Sequence, residues 1–391
     1  MRMSFIPREI PEGAIRYNTD SNKMEVWIGD KWMQVAVSSP NLDGGVRGFF
    51  IGGYNYPSGV VQDKIDYITI STTGNATDFG NLTKGRAEGV GLSNATRALA
   101  AGDAVPGSDD TIDVWVMSTT GNAVDFGNLL SSTNNAQGFG ALANATRGIF
   151  GGGYQAGTGQ VNTLQFVTIN SNGNAIDFGD LEGNSGQFSG TVGGSSPTRG
   201  LWFGGGPSGS ANTNIQYVNI ATTGNGQDFG ERIDTLGHGT TASNSVRIVY
   251  FHGQSNLNSM EYVTTATFGN AIDFGDMILT NHYGATSNSS ATRGCLGGGW
   301  NPSGPNAGVV HATIEYIEIM SQGNAVDFGD LTESRYLLNK GCISTGHGRV
   351  VKTVPLCYTK YISHNLLNNN GFRKVSSNHG SRINTWLCNI S

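Results

Sequence analysis

Charge is scarce in this chain. Only 13% of its 391 residues are Asp, Glu, Lys or Arg, too few for a charge-swollen disordered polymer. Long apolar runs are missing too, so no segment is long enough to span a bilayer. The start, Met1-Arg2-Met3-Ser4-Phe5-Ile6-Pro7, lacks a signal-peptide core. The expectation is a chain neither exported by a standard route nor inserted in a membrane, and sequons such as Asn94-Ala95-Thr96 read as repeat chemistry. Cysteine is limited to positions 295, 342, 357 and 388, with no CxxC pair. That favours free thiols over a disulfide framework or a metal site. Amphipathic helical periodicity is absent, and 59 glycines oppose long helices. No Gly-X-Y period exists, which excludes collagen.

Acidic residues are absent from the last stretch. Residues 348–391 hold six of the 23 Lys and Arg and none of the 29 Asp and Glu. The first 347 residues therefore carry 17 basic against 29 acidic side chains, a balance that argues against nucleic-acid binding.

What is present is a repeat. Gly-Asn followed by Asp-Phe-Gly recurs six times, with the Asp at 78, 125, 177, 228, 273 and 327. The spacings are 47, 52, 51, 45 and 54 residues, a period typical of repeat architectures. In residues 147–195, Arg147–Gly153 reads as a strand ending in glycines, and a variable loop follows. Leu164–Ile169 is the next strand, Asn170–Asn174 turn chemistry, and Ala175–Leu181 the third. Gly190–Gly194 is a fourth, made of small residues. Four short strands per unit suit a propeller blade with the small strand innermost. Middle strands such as Ile65–Ile70 and Ile314–Ile319 are expected to be apolar on both sides.

The expected fold is all-β: a six-bladed β-propeller over residues 46–347. It opens on the second strand of a blade, and Gly341–Gly346 supplies the missing inner strand, removing the exposed edges. The alternative is seven blades, with the basic residues 348–391 as the last; otherwise they form a C-terminal extension. Residues 1–37 are a small β-meander in which Gly29-Asp30 marks a two-residue hairpin, and residues 38–45 are a linker.

Glycine runs after a strand (Gly52-Gly53, Gly151–Gly153, Gly204–Gly206, Gly297–Gly299) resemble those of Kelch-type propellers. The fuller unit, Thr-Arg-Gly, glycine run, Ile-x-Tyr-Val-x-Ile, Gly-Asn-Ala-x-Asp-Phe-Gly-Asp-Leu, resembles the repeat of virion proteins of marine tailed phages, notably cyanophages. Gly346-His347-Gly348 matches the end of the last repeat in that family. The segment from Gly13 to Trp32 resembles a short module of phage fibre proteins. The resemblance covers residues 13–348 and implies a virion location, in a tail or fibre, after synthesis in the host cytoplasm.

Six Asp-Phe-Gly copies without an ATP loop or a His-Arg-Asp segment do not make a kinase. Sialidase boxes are missing, and the scattered histidines show no paired-ligand spacing. The structural expectation is that Phe79, Phe126, Phe178, Phe229, Phe274 and Phe328 wedge between blades. Beside them Asp78, Asp125, Asp177, Asp228, Asp273 and Asp327 are expected to be buried or half-buried acceptors that need donors. Arg47, Arg97, Arg147, Arg199, Arg247 and Arg293 are expected to meet those Asp residues or backbone carbonyls of the neighbouring blade.

Neither a cofactor, a metal nor a catalytic residue is expected. The loops between second and third strands carry the candidate binding residues Tyr54, Tyr56, Tyr154, His252 and Trp300, whose rings suit sugars or a protein surface. The expectation is a non-enzymatic virion protein that displays its propeller to a host glycan or protein. The alternatives are a decorating or connecting protein of tail, neck or capsid, and a glycan-degrading enzyme. Other virion proteins are the expected partners, through the N-terminal module and the basic tail, within an oligomer.

Overall fold

The computed structural model describes residues 10–18, 23–34, 46–103, 110–130, 139–155, 159–183, 190–204, 213–235, 239–253, 257–280, 283–301, 307–338 and 343. Among them there is no helix, and hence none long and apolar enough to cross a membrane. The chain divides into two compact units. The linker 38–45, the basic residues 348–391 and three of the four cysteines lie outside the described residues, so the seven-bladed alternative does too. Cys295 is buried and is not in a disulfide.

The small unit is an antiparallel meander of Ile15–Asn18, Lys23–Ile28 and Lys31–Gln34. Ile28 pairs with Lys31 across Gly29-Asp30, and Gly29 takes φ +69°, which the two-residue turn requires. Pairing of Ile15 with Val26, Tyr17 with Met24 and Val26 with Met33 gathers the apolar side chains on one face. The other face carries the Arg16–Glu25 ion pair at 2.8 Å and the edge-to-face rings of Trp27 and Trp32.

The large unit is a succession of antiparallel sheets, an architecture compatible with a propeller. Five sheets have four strands. In the third sheet these are Gly140–Ala143, Arg147–Gly151, Thr163–Thr168 and Ile176–Asp180. The first sheet has three: Arg47–Ile51, Lys64–Thr69 and Thr77–Asn81. Ile343, the one described residue of 341–346, gives its carbonyl to the Phe49 amide at 3.0 Å. Small-residue strands lie against one another in sequence, from Val90–Ser93 to Thr286–Ser289, and the last lies against Arg47–Ile51. Close approach explains their composition: a Cβ on Gly193 would sit 2.5 Å from the Ala141 carbonyl oxygen.

The recurrent motif is an inter-sheet clip. In every outer strand a bulge at the Asp-Phe pair sets two residues against one on the third strand. The Phe turns inward and the Asp faces solvent. Phe79, Phe126, Phe178, Phe229, Phe274 and Phe328 are all buried, among residues of their own sheet and the next. The expectation of buried or half-buried acceptors is corrected at every copy: Asp78, Asp125, Asp177, Asp228, Asp273 and Asp327 are all exposed. The bulge is the reason: it breaks the alternation, so that the Asp and the residue before it both face water while the Phe alone turns into the core.

The Gly-Asn half of the motif then grips the outer strand of the preceding sheet. The amides of Gly173 and Ala175 donate to the carbonyls of Phe126 and Asn128 at 2.9 and 2.8 Å, and the Asn128 amide donates to Asn174 Oδ1 at 3.1 Å. The same three bonds recur from sheet to sheet. Between the sixth and the first, Gly74 and Ala76 donate to Phe328 and Asp330, while Asp330 donates to Asn75 Oδ1. A Cβ on Gly329, at φ +149°, would meet the Gly74 carbonyl at 2.6 Å.

The six Arg side chains act across the same boundaries. Each donates to a main-chain carbonyl of the following sheet: Arg47 to Met117, Arg97 to Ile169, Arg147 to Ile220 and Ala221, Arg199 to Thr265, Arg247 to Ile319. Arg293, in the sixth sheet, reaches Ile70 and Ser71 of the first.

The third strands are not apolar on both sides. One position in each is polar and buried: Asp66, Asp113, Gln165, Gln216, Glu261 and Glu315. Each accepts a hydrogen bond from the segment after the preceding sheet, while the second oxygens Asp66 Oδ1 and Glu261 Oε1 are buried without one. Gln165 takes the Leu130 amide at 2.7 Å and Glu315 the amides of Ile278 and Leu279. Asp113 pairs with the fully buried Arg86, and Asp66 with the fully buried Arg335.

Candidate functional site

Two of the five candidate binding residues are brought together by rings that the repeat pattern did not single out. Tyr54 opens the short strand Tyr54–Asn55, which pairs with Arg335–Tyr336. The pairing stacks Tyr54 on Tyr336, with centroids 5.4 Å apart and planes 25° apart. Trp300 packs on Tyr336 at 5.5 Å, and Tyr283 meets Trp300 edge to face at 6.1 Å. The main chain holds this row in place, since Trp300 bridges to both Tyr283 and Val310. All four rings are half-buried.

Acidic groups border the rings. Glu88, in a left-handed conformation at φ 54°, donates its amide to the Leu337 carbonyl at 2.9 Å. Asp103 is buried and accepts the Ala87 amide at 3.1 Å. Burial pushes the Tyr283 hydroxyl up to about 12, and the charge of Glu88 adds to the shift. Burial also raises Tyr54, with Asp103, Glu88 and Tyr336 adding to it. The indole N–H of Trp300 is buried without a hydrogen-bond partner, so this end of the row holds an unused donor.

The remaining candidates separate. Tyr56 is exposed and its amide bonds the Ser334 carbonyl at 3.3 Å, beside the cluster in the chain. The backbone of Tyr154 pairs with Gln160, and its side chain lies outside the described residues. His252 is a correction: it is 1% exposed, not a surface ring. It packs edge-to-face on Tyr250 at 5.1 Å, with Nε2 3.6 Å from the Glu261 carboxylate. Burial and the charge of Arg232 push it down to about 3, so it is a neutral core histidine at neutral pH.

Tyr336 had a signal that position in the repeat could have exposed. Arg335 and Arg86 do the same work after the sixth and first sheets. Aligning them sets Tyr336 where Ala87 stands, an aromatic departure from the repeat.

Stacked half-buried rings offer flat apolar faces to a sugar or an apolar side chain, and bordering carboxylates accept hydrogen bonds from hydroxyl groups. Among the described residues no group of three or more His, Cys, Asp or Glu is placed to hold a metal ion. Compared with known proteins, the chain matches no protein-family model and no curated sequence.

Proposed function

We propose that the six sheets are blades of a closed six-bladed β-propeller, and that the protein is a non-enzymatic virion protein of tail-fibre or receptor-binding type. The six-bladed reading is supported by the bonds between the sixth and first sheets, which are of the same kind as those between consecutive sheets. Ile343 gives its carbonyl to Phe49 where an inner strand would pair. The virion reading draws on the resemblance of the repeat and of the N-terminal module. One face of that module leaves Ile15, Tyr17, Met24, Ile28 and Met33 exposed, an apolar surface suited to other virion proteins or to further copies of the chain.

The observation that carries recognition is the aromatic row Tyr54–Tyr336–Trp300–Tyr283 with Glu88 beside it. Its ligand is a host-surface glycan or protein. Labelled full-length protein is expected to bind host cells, and the Tyr54→Ala/Trp300→Ala variant to lose at least about tenfold in affinity, roughly 1.4 kcal/mol. Unchanged binding by that variant would remove the row from recognition. No binding by the wild type, together with an internal position in purified particles, would favour a decorating or connecting role. Release of reducing sugar from host polysaccharide would make the protein an enzyme.

A further inference from the structure

In five of the six sheets the third strand places an aromatic ring at one position: Tyr67, Phe166, Tyr217, Tyr262 and Tyr316. Each ring lies under the Arg of its own sheet, with the guanidinium carbon 4.4–4.9 Å from the ring centroid. Each also meets the Phe of its Asp-Phe-Gly edge to face, at 5.8–6.4 Å. The arrangement is a built seat for one ring, cationic above and aromatic at the side.

The second sheet lacks that ring. Its strand Thr111–Val116 has Val114 at the position, paired with Val124 as Tyr67 is paired with Thr77. The large side chain is Trp115, one residue on, and it packs with Phe49 of the first sheet at 6.1 Å. A pocket of about 240 Å³ opens at the vacated place, lined by Arg97, Val114, Val116 and Val124, with the turn Thr119–Asn122 at its rim. Val116 pairs with Arg97, so these four side chains share one face. Arg97 leans over the space without filling it, and Val114 at its floor is 2% exposed. The Arg97 guanidinium donates to the Ile169 carbonyl at 2.8 Å and to Asn172 Oδ1, and it leans toward Phe126 at 5.5 Å.

We infer that this pocket is a binding site for a single external aromatic ring, of the class of small para-substituted phenols, which takes the place that Tyr occupies in four of the other sheets. The cation of Arg97 selects an aromatic over a saturated ring of equal size, and the open rim admits the para substituent. The site is independent of the row around Trp300 and does not rest on the proposed virion role.

The test uses the full-length protein and p-cresol, with 4-methylcyclohexanol as the saturated control. Chemical-shift perturbation or calorimetry is expected to show saturable p-cresol binding, at least about tenfold tighter than the control. Val114→Tyr restores the ring of the other sheets, so this variant is expected to fold, to melt higher than wild type and to bind no p-cresol. The inference is overturned by any of three results: no saturable binding up to the solubility limit of p-cresol, equal affinity for the control, or undiminished binding by the folded Val114→Tyr variant.

Discussion

Asp330 donates its amide to the side-chain oxygen of Asn75 across 3.1 Å, although 255 residues separate them in the chain. The same bond joins Asn128 to Asn174 and Asp180 to Asn225, at separations of 46 and 45 residues. One side-chain amide therefore serves both neighbours in sequence and the two most distant sheets.

Removing that acceptor is expected to cost the same wherever it stands. Asn75→Ala and Asn225→Ala should each lower unfolding free energy by about 1 kcal/mol, the net worth of one hydrogen bond. Denaturant unfolding of both variants measures it. A neutral Asn75→Ala beside a destabilised Asn225→Ala would contradict the proposed ring closure.

Arg335 and Asp66 form a fully buried ion pair between the segment after the sixth sheet and the first sheet. Arg335→Leu leaves a carboxylate buried without its cation and should destabilise by about 3–5 kcal/mol. Adding Asp66→Asn removes the stranded charge and should recover a large part of that loss. Failure of the second substitution to recover stability would assign the cost to packing instead.

His252 makes the fold acid-sensitive. Its folded-state value is about 3 against 6.5 for an ordinary histidine. Between those values the unfolded chain takes up a proton that the folded chain refuses, so stability falls as pH drops through the window. The slope approaches about 1.4 kcal/mol per pH unit. Burial raises the neighbouring Glu261, which opposes this trend as it protonates. The comparison is therefore between wild type and His252→Gln at pH 7 and pH 4.5, and the variant should lose less stability on acidification.

Tyr283 is expected to ionise late. Its hydroxyl, held at about 12 by burial and by Glu88, should give a spectrophotometric step absent from Tyr283→Phe. Glu88→Gln should move that step downward. Because the folded value is raised, the associated stability is complete below about 10 and is lost as pH rises from there toward 12.

Much of the candidate site was hidden in the repeat. Tyr54 and Trp300 drew notice because they sit in loops that vary, but their contact runs through Tyr336, and Tyr283 packs on Trp300 beyond it. His252 occupies a comparable loop and is buried, because Arg232, Glu261 and Tyr250 close around it. Loop membership alone could not separate the two outcomes.

The Gly-Asn-x-x-Asp-Phe-Gly unit by itself determined the six recurrences of one outer strand and of the turn before it. Those features follow from local strand and turn chemistry, which acts over a few residues. Tertiary structure decided the partners. It turned Asn75 into an acceptor for Asp330 and buried Asp66 against Arg335. It left Asp78, Asp125, Asp177, Asp228, Asp273 and Asp327 in solvent, although each adjoins a buried Phe. It also left a pocket beside Val114, since a missing ring leaves space only where the surrounding side chains, Arg97 among them, do not fill it. A polar group's partner depends on which surfaces pack together, and packing joins residues whose separation in sequence carries no local signal.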